Sequence, residues 1–149
     1  MSRLPAVVGL VLALSLSAVA DADALSLRRP AFGPVTSDYG ARWGRHHEGV
    51  DFGNLRKLSI LAAARGKVVG TGYLPGYAGY GNVVLIAHAQ GFRTVYAHLS
   101  RVRVRRGQWV RAGRWIANAG CTGSCTGTHL HFELRRRGRP LDPMRYMRR

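Results

Sequence analysis

The chain reads as a mostly β protein, an antiparallel sheet built from short strands and hairpins. Three observations predict this. Six short runs rich in Val, Ile, Tyr and Phe are each bounded by glycine. Nineteen glycines in 149 residues supply turns for many hairpins. No stretch carries the 3.6-residue apolar period of a long amphipathic helix.

The runs follow in order. Residues 67–71 lie between Gly66 and Gly72, and 82–88 starts just after Gly79-Tyr80-Gly81. Residues 93–99 follow Gly91, while 109–111 and 115–119 flank a turn at Gly113. The last run, 129–135, ends before Gly138. Consecutive runs separated by such turns pair as antiparallel hairpins.

Length allows one domain. Residues 1–24 read as an export signal: Arg3, an apolar run over 6–16, and small-x-small sites that allow cleavage after Ala20 or Ala24. No cysteine stands near those sites, which argues against a lipid anchor. The apolar run is too short to span a bilayer comfortably, so no stable membrane insertion is expected after cleavage. Residues 25–34 form a lead-in segment and 35–149 the domain itself, with no room in this chain for a separate wall-binding module. The formal charge of +16 attracts polyanions. Export removes most access to nucleic acid and leaves anionic envelope polymers as the natural partner. A solvated arginine-rich surface is the bland alternative. The expected location is the envelope or the outside of the cell, and the expected state is a monomer.

Six histidines carry the strongest chemical signal: His46, His47, His88, His98, His129 and His131. On a strand His129, His131 and Glu133 share one face, and Leu130, Phe132 and Leu134 share the other. The two imidazoles then stand about 7 Å apart at the backbone. His47 and Asp51 are good zinc ligand types, but four residues of straight strand span about 13 Å. Gly49 between them permits a bend. His46 is expected at the surface. His98 is expected to share a strand face with Thr94 and Tyr96. Cys121 and Cys125 are compatible with a disulfide, with zinc ligation or with a free pair. Trp43, Trp109 and Trp115 are read as core or edge packing rather than as ligand platforms. Tyr73, Tyr77 and Tyr80 are candidates for a groove wall, and the tail from Arg135 to Arg149 is a candidate polymer-binding surface.

Four stretches together resemble the lysostaphin-type, or LytM-domain, zinc peptidases. They are His47-Glu48-Gly49-Val50-Asp51, Gly79-Tyr80-Gly81-Asn82-Val83-Val84, Tyr96-Ala97-His98-Leu99-Ser100, and Thr126-Gly127-Thr128-His129-Leu130-His131-Phe132-Glu133. Ser37-Asp38-Tyr39-Gly40-x-Arg42 and Leu141-Asp142-Pro143 also fit, so the resemblance covers about residues 35–146. It implies the duplicated hybrid fold of that family and one zinc ion held by His47, Asp51 and His131. It also implies His98 and His129 as catalytic histidines and the peptide part of bacterial peptidoglycan as substrate. Zinc-activated water would be the nucleophile. The chain departs from the family at Thr128, where proline is frequent, and over 55–61, which lacks the usual small residue and proline. The stretch from Gly40 to His47 is also short. A non-catalytic regulator of other wall hydrolases is the competing reading. A closed structural zinc site using the cysteines is a third.

Overall fold

A computed structural model describes residues 25–148. The export signal expected over 1–24 lies outside them. Among the described residues, thirteen strands and two short 3-10 turns follow in order. The strands are β1 (Val35–Ser37), β2 (Gly40–Arg42), β3 (Arg45–His47), β4 (Val50–Phe52), β5 (Ser59–Leu61), β6 (Gly66–Gly72) and β7 (Val83–Ala87). They continue with β8 (Phe92–Ala97), β9 (Leu99–Val102), β10 (Trp109–Val110), β11 (Trp115–Ala119), β12 (Leu130–Arg136) and β13 (Arg139–Leu141). All pairings within the sheets are antiparallel, as the hairpin reading expects. No helix among the described residues is long and apolar enough to cross a membrane.

The main sheet runs β1-β4-β12-β8-β7-β6-β10. One edge of β12 pairs with β8 throughout; the other is shared, with β4 facing 130–132 and β13 facing 134–136. A three-stranded sheet, β5-β11-β9, and a β2-β3 ribbon complete the fold. The ribbon turns at Trp43 and Gly44, both with positive φ, the pattern whose twist suits a two-residue hairpin.

Alternation along β12 places Leu130, Phe132 and Leu134 in the core, all fully buried. Each such side chain contributes about 1.5–3 kcal/mol by leaving water. Phe52, Tyr96 and Ile116 fill the same core. Tyr96 is anchored by accepting the Ala63 N–H at 2.8 Å. His88, for which the sequence suggested no role, bonds the Arg65 carbonyl and the Thr94 hydroxyl and so serves this core. The opposite face of the sheet buries Val83, Leu85, Val95 and Ala97 beneath Leu74, Tyr77 and Tyr80. The lead-in segment is part of the packing: Leu27 is fully buried, and Pro30 accepts the Leu61 N–H.

The long strand expected over 93–99 is broken. β8 stops at Ala97, β9 starts at Leu99, and His98 between them has φ +60°. Strict alternation would have put His98 on the core face with Tyr96. The left-handed residue turns it to the face of His131 instead. Trp43, Trp109 and Trp115 do not pack in the core; they are 90%, 62% and 45% exposed.

Candidate metal centre

Asp51 and His131 sit directly opposite each other on β4 and β12, the closest side-chain relation a sheet offers. His47 ends the β2-β3 ribbon, and the chain crosses into the main sheet before Val50. That crossing brings His47 and Asp51 together, as the Gly49 bend anticipates. Gly49 is required for closeness: a β-carbon there would stand 2.3 Å from the Phe132 carbonyl oxygen and 3.0 Å from the His131 ring. His47 Nε2, Asp51 Oδ1 and His131 Nδ1 converge. Their separations are 3.3 Å for His47 to Asp51, 2.9 Å for His131 to Asp51 and 3.1 Å for His47 to His131.

Each of four histidines is tied by its other ring nitrogen to a group that only accepts. His47 Nδ1 donates to the Asp38 carbonyl at 2.7 Å, and His131 Nε2 to the Glu133 carboxylate at 3.0 Å. His98 Nδ1 donates to the Thr122 carbonyl and His129 Nδ1 to the Gly127 carbonyl, each at 2.8 Å. These partners orient the rings and leave His47 Nε2, His131 Nδ1, His98 Nε2 and His129 Nε2 outside those tethers. His98 and His129 lie beside the triad with ring centroids 4.7 Å apart, and His129 Nε2 is 3.8 Å from Asp51 Oδ1. His46 is exposed, as expected, with its ring edge against Tyr39.

Carboxylates and guanidiniums frame the centre. Arg42 holds Asp51 Oδ2 at 3.0 Å, which leaves Oδ1 to face the histidines. Glu133 is fully buried and accepts from His131, from Arg135 Nε at 2.5 Å and from the Tyr80 hydroxyl at 2.5 Å. Arg135 also binds Glu48 at 2.6 Å. Arg135 therefore leaves the polymer-binding tail in which the sequence placed it. Among the three tyrosines, Tyr80 belongs to the centre, while Tyr73 is 71% exposed.

Burial alone would raise the Asp51 carboxyl, but hydrogen bonds from His131 and His47 hold it well below the usual range. Burial would lower His131, yet bonding to Asp51 and Glu133 pushes it up to about 9 in the metal-free centre. His98 is lowered, first by burial and then by the neighbouring His129 and His131, against the pull of the Thr122 carbonyl. Burial and the bond to Glu133 raise the Tyr80 phenol, so it remains a donor.

Two imidazole nitrogens and a carboxylate oxygen converging this closely could hold a metal ion. Two imidazoles with one carboxylate fit zinc, and only three protein ligands leave a fourth position open. The cysteines are not part of the set: they form a Cys121–Cys125 disulfide.

The sequence profile of peptidase family M23 matches residues 45–143. The chain is similar to the murein hydrolase activator NlpD of Escherichia coli (strain K12), 38% identical over 120 residues. That match covers 80% of this chain and 31% of NlpD. It is 41% identical over 99 residues to the peptidoglycan DD-endopeptidase ShyB of Vibrio cholerae, across 66% of this chain and 22% of ShyB. The catalytic domain of the antimicrobial peptidase lysostaphin from Staphylococcus simulans superposes with a TM-score of 0.63 at 33% identity. It covers 76% of this chain and 89% of that domain. The chain thus spans about a third or less of the two curated relatives, and it belongs to peptidase family M23.

Proposed function

We propose that the chain is a zinc-dependent endopeptidase that hydrolyses peptide cross-links of bacterial peptidoglycan, exported to the envelope or beyond it. The observation that carries the reading is the convergence of His47, Asp51 and His131 with two tethered, uncoordinated histidines alongside. A zinc ion in this set supplies Lewis acidity, lowering the pKa of a bound water and polarising a carbonyl. His98 and His129 lie beside the triad, each tethered through Nδ1. A neutral imidazole there can take a proton from the attacking water and return it to the leaving amine. The depressed pKa keeps His98 neutral and ready to accept at pH 7. Arg42 and Glu133 hold Asp51 and His131 in place.

The second reading, a regulator of other wall hydrolases, is favoured by the similarity to NlpD. The intact set of five residues favours catalysis. Purified protein incubated with peptidoglycan, with and without a chelator, separates the two. Metal-dependent release of peptide fragments seen by mass spectrometry supports the endopeptidase, and the fragment masses name the bond. No cleavage by folded, zinc-loaded protein on several wall types moves the regulator to the front.

Two further outcomes are expected. A proton occupies His131 below about pH 9 in the metal-free centre, and ligation requires it to leave. Zinc affinity should therefore rise about tenfold per pH unit from neutrality and flatten above about pH 9, with about one proton released per ion at pH 7. Calorimetry in buffers of different ionisation enthalpy reads that proton.

The disulfide closes residues 121–125, which supply the Thr122 carbonyl tether and stand two residues before Gly127, which supplies the other. The loop also packs tightly on the 79–81 turn, where a β-carbon at Gly123 would lie 2.4 Å from the Gly81 nitrogen. Misplacing a catalytic group by about 1 Å can cost on the order of 10²-fold. Reduction, or Cys121→Ser with Cys125→Ser, should lower the hydrolysis rate about tenfold and leave the zinc content unchanged.

A further inference from the structure

A second surface lies where β10, at the edge of the main sheet, meets β11 of the three-stranded sheet. β10 lies four strands from β12, roughly 19 Å away at about 4.8 Å per strand. There Arg103, Trp109, Arg111, Ala112, Gly113, Arg114 and Trp115 line an open groove of about 760 Å³. It shares no residue with the metal centre.

Three features mark the groove as built for a ligand. The first is exposed apolar area: two indoles, 62% and 45% exposed, line one groove. The second is preorganisation. Trp115 Nε1 donates to the Ala117 carbonyl at 2.8 Å and to Asn118 Oδ1 at 3.1 Å. Arg103 donates to that same Asn118 oxygen at 3.2 Å, and its guanidinium lies 3.6 Å from the Trp115 ring centroid. Arg65 lies over the Trp109 ring at 5.4 Å. The third is uncompensated charge. No aspartate or glutamate occurs between residues 52 and 132. Among the described residues none of Arg103, Arg111 and Arg114 forms an ion pair.

Flat aromatic rings stack on the apolar faces of sugar rings, and arginine forks bind carboxylate or phosphate. We infer that the groove formed by Trp109, Trp115, Arg103, Arg111 and Arg114 binds an anionic polysaccharide, a glycan chain bearing carboxylate or phosphate groups. This choice over nucleic acid rests on the wall-directed function proposed above. Held there, the polymer keeps the enzyme on its insoluble substrate by a contact separate from the peptide being cut.

The test measures binding of the full chain to polygalacturonate, which has rings and charge. Polyphosphate supplies charge alone, neutral dextran supplies rings alone, and double-stranded DNA serves as the rival. Polygalacturonate should bind most tightly. Trp109→Ala with Trp115→Ala should weaken it about tenfold or more while changing polyphosphate binding little. Arg111→Ala with Arg114→Ala should weaken both charged polymers and flatten the salt dependence. This second pair keeps the test decisive if the tryptophan variant fails to fold. Both variants should hydrolyse a small soluble cross-linked peptide at the native rate. Native-like polygalacturonate binding by both folded variants overturns the inference, as does tighter binding of DNA than of polygalacturonate. Groove-dependent binding by a protein that cuts no wall would support the groove and refute the hydrolase reading.

Discussion

His131→Ala should abolish both metal binding and peptide hydrolysis. The substitution removes Nδ1 from a three-ligand set whose atoms lie within 4.8 Å of one another. The metal's charge stabilisation amounts to several kcal/mol, and each 1.36 kcal/mol is tenfold in rate. The expected loss is on the order of 10³-fold or more. The fold survives, because the buried Glu133 carboxylate keeps Arg135 and Tyr80 as donors. Losing the third donor costs about 1–3 kcal/mol of stability. Metal content by mass spectrometry and a thermal melt check both halves. A folded variant that keeps one tightly held zinc would remove His131 from the ligand set.

His98→Ala and His129→Ala produce the opposite combination. Each should lower the rate by about 10²–10⁴-fold while metal content stays near one ion per chain. The reason is geometric: each ring is tied through Nδ1 to a backbone carbonyl and lies beside the triad rather than within it. Because burial and the neighbouring histidines lower His98, the acid limb of the native pH–rate profile should fall below 6.5. Loss of zinc from either variant would make that histidine a ligand. An unchanged rate with zinc retained would remove it from the chemistry.

Parts of this arrangement are legible in the residues. Period-2 alternation over 129–135 correctly sends Leu130, Phe132 and Leu134 inward and His129, His131 and Glu133 to the other face. That rule is purely geometric and needs no partner strand. The same rule fails at His98, where one left-handed residue reverses the face. Nothing local announces such a residue when it is not glycine. Strands β1 to β5 are three residues each, too short to show a period. The carbonyls of Thr122 and Gly127 that orient two of the rings are invisible in a sequence, because any residue has a carbonyl. Arg135 looks like one of a run of tail arginines; continuing the alternation from His131 and Glu133 would have assigned it to the centre. Trp109 and Trp115 are exposed where acidic residues are missing altogether, between 52 and 132.

The most direct test of the central claim titrates metal-free protein with zinc while following hydrolysis of a cross-linked peptidoglycan peptide by mass spectrometry. The account predicts that cleavage rises in proportion to bound zinc, reaches its plateau at one ion per chain, and disappears on chelation. Folded protein holding one zinc that leaves the cross-link intact, yet speeds a separate wall hydrolase, would contradict it.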